Sequence, residues 1–215
     1  MKGRKYIYTF LVFSVFILIA CENKVEKTQE NPLENQITLV KNEFAPDKRV
    51  ALFNVSSIKN DDGIILKGTS NLPEAVKTLK ENLTKEEISF VDSIQMYPDA
   101  ILEGKIKAVV KLSVANLRSN PKHSAELATQ ATLGTPLNVY TKKDNWYLIQ
   151  TPDKYLAWVD SGGIQLMKES DFATWKLANK IIFLGTYGES FESESKFSPV
   201  VSDVVAGDIF EVIDE

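Results

Sequence analysis

The stretch Val114–Val159 constrains this chain more than any other. It consists of short apolar and polar alternations cut by Pro121, by Gly134-Thr135, by Lys143-Asp144-Asn145 and by Pro152-Asp153-Lys154. Successive side chains of a strand point to opposite faces, so alternation between turn formers predicts strands with one buried face. The pattern predicts strands from Lys107 to Arg118, Leu127 to Leu133, Leu137 to Tyr140, Trp146 to Gln150 and Tyr155 to Val159, with Ser119 to Glu126 a polar loop. Five strands of this length and turn spacing make a small, strongly bent β-barrel.

Part of this pattern occurs twice. Leu127–Val139 lies on Val200–Val212 without a gap, at an offset of 73 residues that places Gly134 on Gly207. A tight strand-to-strand turn is where glycine is demanded. Between the copies, Lys168–Lys180 reads as a linker helix, with Ser170 as a cap and Phe172, Trp175 and Leu177 available for packing. Ile181-Ile182-Phe183-Leu184 then begins a second barrel. Glu215 corresponds to Lys142, ahead of the counterpart of Trp146, so the second barrel is expected to lack its last strands. On this reading the chain is truncated: a fragment, a pseudogene product or one part of a split gene.

Upstream of the barrel, folded structure is expected from about Pro46. Arg49–Val55 and Ile64–Gly68 read as a hairpin through Asn60-Asp61-Asp62-Gly63. A helix follows, capped by Asn71, with Pro73 in its first turn and Leu72, Val76, Leu79 and Leu83 as its apolar stripe. A third strand before Tyr97-Pro98-Asp99 completes a ββαβ unit that carries no chemical constellation and reads as support.

The N-terminus reads as an address. Lys2, Arg4 and Lys5 precede a 15-residue apolar run, Tyr6–Ala20, which is short for a membrane span. The run ends in Leu18-Ile19-Ala20-Cys21, and Cys21 is the only cysteine. That arrangement resembles the lipobox of bacterial lipoproteins, in preference to an uncleaved anchor or an ordinary secretory signal. Residues 22–45, rich in Glu, Lys, Asn and Gln, read as a flexible tether. Without its three basic residues the mature chain holds 22 basic against 29 acidic residues, a charge of −7. Phosphate contacts need clustered Lys and Arg, so nucleic acid is set aside as a partner.

Catalytic constellations are missing from the sequence. The one histidine, His123, sits in a polar loop, and a lipidated Cys21 offers no nucleophile. One His and one Cys make no zinc-type cluster, no glycine-rich phosphate cradle follows a strand, and no cofactor is expected. Glu189, Glu192 and Glu194 read as a solvated loop rather than an acid/base pair.

A family resemblance can be placed on these residues. The order Asn116-Leu117-Arg118-Ser119-x-Pro121, Leu133-Gly134-x-Pro136-Leu137-x-Val139, Trp146-Tyr147-Leu148-Ile149 and Tyr155-Leu156-Ala157-Trp158-Val159 resembles a bacterial SH3 (SH3b) domain. More narrowly, the chain from about Pro46 onward resembles the N-terminal, non-catalytic part of Bacteroides-type NlpC/p60 cell-wall endopeptidase lipoproteins. Those enzymes cut γ-D-glutamyl–diamino-acid bonds with a Cys/His domain that has no counterpart here. The family's Gly-Tyr-Ile-Gly-Trp-Val stands here as Lys154–Val159 with both glycines replaced. That alters the hairpin if either position needs positive φ or close backbone approach.

The resemblance implies recognition of a peptidoglycan stem peptide. Tyr155 matches the aromatic that holds the peptide end, with Trp158 and Trp146 beside it and Asp153 as a carboxylate for a free amine. Trp146 and Trp158 read first as barrel core, while Tyr155 remains open between core and ligand. The expected fold class is α+β, mainly β. Its order is lipoprotein signal and Cys21 (1–21), tether (22–45), ββαβ unit (46–105), SH3b domain (106–166), linker helix (167–180) and half of a second SH3b barrel (181–215). The expected function is non-enzymatic binding to cell-wall peptide, or to a cell-envelope protein as an adaptor, or service as the non-catalytic subunit of a split peptidase. The expected location is the cell envelope, lipid-anchored on the periplasmic face of the outer membrane. Metabolic labelling with palmitate should mark the wild-type chain and not Cys21→Ser; labelling of both would remove the lipobox.

Overall fold

A computed structural model of the chain describes residues 31–195 and 197–213. The apolar run, Cys21 and residues 22–30 of the expected tether lie outside the described residues. Among the described residues no helix is long and apolar enough to cross a membrane.

Folded structure starts earlier than the composition suggests. Helix α1 spans Pro32–Phe44 and buries Leu33, Ile37 and Val40, which replaces the expected tether over these residues. The spacing of four and then three residues puts all three on one face. That stripe is hidden among Asn, Gln, Glu and Lys. Strands β1 (Phe53–Asn60) and β2 (Gly63–Ser70) form the expected hairpin through Asn60–Gly63. Helix α2 (Pro73–Lys85) opens on Pro73 and buries Ala75, Val76, Leu79 and Leu83. Strand β3 (Val91–Met96) runs parallel to β2, giving the sheet order β1-β2-β3. One cluster joins α1, α2 and the sheet through Val40, Phe53, Leu66, Leu79 and Leu83. Asn71 is not the helix cap: Leu72 occupies that position. The Asn71 Oδ1 instead accepts from Leu52 N at 2.9 Å, and Asn71 N donates to Leu52 O at 3.1 Å. The side chain therefore ties the start of the helix to the start of β1.

Seven strands follow: β4 (Lys107–Val110), β5 (Val114–Arg118), β6 (Leu127–Thr132), β7 (Pro136–Lys143), β8 (Trp146–Gln150), β9 (Leu156–Asp160) and β10 (Ile164–Met167). They form one antiparallel sheet in the order β10-β4-β7-β8-β9-β5-β6. Val110, Leu117, Ala131, Leu137, Ile149, Val159 and Ile164 meet in a single core, so every strand contributes and the sheet must bend around it. Two features exceed the expected five strands. The first predicted strand breaks at Lys111–Ser113, where Lys111 N donates to Gly163 O at 3.0 Å. Ile164–Met167, too short to stand out in sequence, pairs with β4.

The ββαβ unit and this sheet are joined by main-chain bonds. Leu156 N donates to Arg49 O at 2.7 Å, and Asp99 N donates to Tyr140 O at 2.8 Å. Gln150 Nε2 donates to Val50 O at 2.9 Å, and Thr141 Oγ1 donates to Asp99 Oδ2 at 3.0 Å.

The remaining elements are helix α3 (Glu169–Leu177) and strands β11 (Lys180–Ile182), β12 (Tyr187–Phe191), β13 (Val200–Val205) and β14 (Ile209–Glu211). Ser170 does not cap α3: Lys168 holds the cap position and the Ser170 hydroxyl faces Asp171. Phe172 stacks on Trp175 at 5.6 Å, but Leu177 is 87% exposed and the helix buries no residue.

The 73-residue repeat is a repeat of hydrogen bonding. β4 pairs with β7 as Lys107↔Asn138, Ala108↔Leu137 and Val109↔Pro136; β11 pairs with β14 as Lys180↔Glu211, Ile181↔Phe210 and Ile182↔Ile209. β5 pairs with β6 and β12 with β13 in the same shifted register, including a bulge at Leu117/Arg118 that returns at Ser190/Phe191. Gly134 and Gly207 both take positive φ, 77° and 95°.

These two glycine turns interlock. The Asp208 side chain is fully buried and accepts from Leu133 N at 3.1 Å and from Val205 N at 2.9 Å, while Ile209 N donates to Leu133 O at 3.0 Å. A Cβ at residue 134 would meet Ile209 O at 2.5 Å, so glycine permits the close approach as well as the turn. Asp208→Ala should leave the Val205 amide without its acceptor and the Leu133 amide with only Ser113 O, 3.2 Å away, and destabilise the seam by about 1–3 kcal/mol. Hydrogen exchange at Val205 reads this directly; unchanged protection there would show that Asp208 does not hold the turns together.

Candidate functional site

The geometry of the site comes from the β8–β9 hairpin. Its register pairs Trp146 with Asp160, Leu148 with Trp158 and Gln150 with Leu156. Tyr147, Ile149, Ala157 and Val159 alternate with these and enter the core. Period-2 geometry therefore puts Trp146, Leu148, Trp158 and Asp160 together on the outer face. Arg118 of β5 pairs with Trp158 and extends that face. Trp146 and Trp158 are thus not barrel core, as residue type alone would have them. Trp146 is 7% exposed because the loop after β5 folds over it.

That loop carries His123. Its ring meets the Trp146 indole edge-on at a centroid distance of 5.0 Å, and its Nε2 lies 3.8 Å from Asp160 Oδ2. The His123 side chain is 81% exposed, so it is solvated as the sequence suggests, yet it is placed. Arg118 Nη1 donates to Ala125 O at 2.7 Å and fixes the loop's far end. Asp160 Oδ1 accepts from Gly162 N at 2.7 Å, which leaves Oδ2 toward His123. Arg118, His123, Trp146 and Asp160, with Val114 and Asn116, line an open hollow of about 290 Å³. An indole wall bordered by a guanidinium, an imidazole and a carboxylate suits a small ligand carrying both charges and an apolar group. No Ser, Thr or Cys lines the hollow, so the His123–Asp160 pair has no nucleophile to activate there.

Trp158, half-buried, lines a second hollow at the other end of the same face, of about 270 Å³, with Lys48, Leu52, Tyr97, Leu148 and Leu156. Tyr155 and Asp153 belong to neither. Tyr155 is half-buried against the core. Its N–H donates to Thr151 Oγ1 at 3.1 Å, and the Thr151 hydroxyl faces Asp153. The Asp153 carboxylate is thereby engaged inside its own turn. Beside this turn the Arg49 guanidinium forms a forked pair with Asp47, with Nη2 2.7 Å from Oδ2. Hydrogen bonding to Arg49 holds the Asp47 carboxyl at about 2, so the pair weakens only as the pH falls toward that value.

The structure therefore separates the four sequence candidates into three places: Trp146 in one hollow, Trp158 in another, Tyr155 and Asp153 in the hairpin turn. Arg118, Asp160 and the placement of His123 were missed. The first two follow from strand parity once the register is known; His123, 23 residues from Trp146, leaves no local signal. Among the described residues no group of three His, Cys, Asp or Glu side chains converges to hold a metal.

Comparison with known proteins agrees with the strand pattern. Residues 113–165 match the bacterial SH3 domain family, a stretch that covers β5 to β9 and every residue lining the first hollow except Leu112. A solved structure described as a novel NlpC/P60 endopeptidase from Photobacterium damselae subsp. piscicida is similar at 15% identity and a TM-score of 0.43, covering 87% of this chain. This chain spans 40% of the length of that one. A search of curated proteins gives no match.

The replaced glycines resolve differently. Ala157 is a buried strand residue, and its methyl group sits in the core. Lys154 takes φ 70°, the left-handed conformation that glycine adopts without penalty. Lys154→Gly should therefore stabilise the chain by about 1 kcal/mol in urea unfolding; a loss of stability would show that the lysine side chain contributes more than its backbone costs.

Proposed function

We propose that this chain is a cell-wall-binding region whose bacterial SH3 domain, residues 113–165, holds a peptidoglycan stem peptide. The observation that carries the reading is the hollow at Trp146. A stem peptide joins a small apolar L-Ala to a D-Glu and a diamino acid, so it brings methyl, carboxylate and ammonium groups within a few bonds. Arg118 and His123 suit the carboxylates, Asp160 suits an ammonium group, and the Trp146 indole suits the methyl. Tyr155, Asp153 and Trp158 form the second candidate contact, through the hairpin turn and the face beside it. In this reading Cys21 anchors the chain to the envelope membrane, with the periplasmic face of the outer membrane as its location.

The chain's part is recognition. It contains a single cysteine and a single histidine, and a γ-D-glutamyl–diamino-acid endopeptidase of the NlpC/p60 kind works through a Cys/His pair. The proposed role is that of the non-catalytic region serving such a peptidase. An adaptor that binds an envelope protein is the second reading. Ile181, Ile182, Leu184 and Val201, each more than half exposed, favour it.

Titration with the tripeptide L-Ala-γ-D-Glu-meso-diaminopimelate separates these. The stem-peptide reading expects saturable binding that weakens at least tenfold in Asp160→Asn, which keeps the Gly162 contact but removes the charge. Loss in Tyr155→Ala with none in Asp160→Asn would move the site to the hairpin turn. No binding of the wild type to tripeptide or to insoluble peptidoglycan would remove the reading and leave the adaptor.

A further inference from the structure

The hollow at Trp158 is built from both folded parts of the chain, although the ββαβ unit reads from its sequence as support alone. Phe53 and Val55 of β1 are buried, so strand parity turns Asn54 to the opposite, exposed face. Ser70 of β2 is buried, and Thr69, the cross-strand partner of Asn54, shares that outward face. Asn54, Thr69, Lys48 and Tyr97 line the hollow from the ββαβ unit, and Trp158 and Ser119 line it from the barrel. Main-chain bonds hold the two sides in place. Leu156 N donates at 2.7 Å to the carbonyl of Arg49, next to Lys48. Asp99 N, two residues from Tyr97, donates at 2.8 Å to Tyr140 O. A ligand therefore meets a preformed site and loses little to ordering it.

The chemistry of the lining selects among ligands. Among the described residues, the side chains of Lys48, Asn54, Thr69 and Tyr97 make no hydrogen bond or ion pair within the chain. No buried polar side-chain atom among those residues lacks a partner, so these groups stand open to solvent at the hollow. Asn54 offers a donor and an acceptor, the two hydroxyls do the same, and Lys48 only donates. No Asp or Glu lines this hollow, so an ammonium group finds no counter-charge, whereas the Trp146 hollow supplies Asp160. A zwitterionic peptide end fits the first hollow and not the second. A pyranose ring fits the second. Its C–H bonds suit the negative face of the Trp158 indole, and its rim of hydroxyls suits the neutral donors and acceptors. The volume of about 270 Å³ lies near the ~300 Å³ lower end of ligand pockets and admits one ring rather than a chain.

We propose that the Trp158 hollow is a sugar subsite that takes one N-acetylated hexose of a cell-wall glycan. Asn54 and Thr69 supply partners for the acetamido N–H and C=O, and Trp158 supplies the platform for the ring. Lys48, the one cation in the lining, suits the carboxyl oxygen of a lactyl ether on such a ring. The choice of a cell-wall sugar rests on the cell-wall-binding role proposed for the chain; the site and its preference for a sugar over a peptide end do not. The ββαβ unit is then half of a binding site rather than a support.

The test is a nuclear magnetic resonance titration of the full chain with the peptide-free disaccharide N-acetylglucosaminyl-N-acetylmuramic acid. The Trp158 indole N–H resonance should shift saturably. Trp158→Leu should weaken the disaccharide about tenfold. Thr69→Val keeps the side-chain shape, suits a strand and leaves the barrel untouched, so it reads the site where Trp158→Leu disturbs folding; it should weaken the disaccharide about fivefold. Saturating L-Ala-γ-D-Glu-meso-diaminopimelate should not displace the disaccharide. Absence of a saturable shift at Trp158, unchanged affinity in Thr69→Val, or displacement by the tripeptide would each overturn the sugar subsite. Failure of the tripeptide to bind, with the disaccharide shift intact, would uphold the subsite and remove only the stem-peptide reading of the Trp146 hollow.

Discussion

The alternation of side chains along β8 and β9 is the constraint on which the rest depends. A strand turns consecutive residues to opposite faces, so the hairpin from Trp146 to Asp160 builds the core and the candidate site at once. Tyr147, Ile149, Ala157 and Val159 close the interior, and Trp146, Trp158 and Asp160 are held outward in fixed register. A slip of one residue would exchange the two sets, placing indoles in a core sized for Ala157 and exposing Ile149. Burial of the inner set makes such a slip costly, and that gives the outer set its precision. The position of Trp146 beside His123 is thus a by-product of core packing on the reverse face.

Much of this is legible in the order of residues alone. Turn residues between short alternations place the ends of β6 to β9 within three residues, and the offset between Gly134 and Gly207 reveals the duplication. Illegible parts share a physical cause: they depend on partners distant in sequence. Helix α1 has a clear stripe at Leu33, Ile37 and Val40, but in a polar background its meaning appears only when α2 and β1 meet it. Asn71 has the chemistry of a cap and serves instead to bridge to Leu52, because the chain just before β1 presents a backbone N–H and C=O at the right distance. Strand β10 is recognisable by its partner β4 and by little in its own four residues.

The same distinction separates the site residues. Trp146 and Trp158 can be proposed from residue type, since a large aromatic with a polar edge suits both burial and recognition. Arg118, His123 and Asp160 are ordinary surface residues until the register of β5 against β9 and the fold of the 119–126 loop bring them together. Tyr155 and Asp153 show the converse. They are close together and suggestive in sequence, but backbone and hydroxyl bonds to Thr151 engage both within one turn.

The seam between the glycine turns rests on one carboxylate. Asp208 spans an amide of its own turn and an amide of the turn before it, which a carboxylate can do because it has two acceptor oxygens. The residue at the same place in the earlier copy is Thr135, whose side chain carries one hydroxyl oxygen in place of the two separated carboxylate oxygens. The later copy reaches back to the earlier one through Asp208, and the Thr132 hydroxyl of the earlier turn donates to Gly207 O at 3.5 Å in return. The buried carboxylate therefore fixes how closely and at what register the two glycine turns approach, a task the two turns could not share without it.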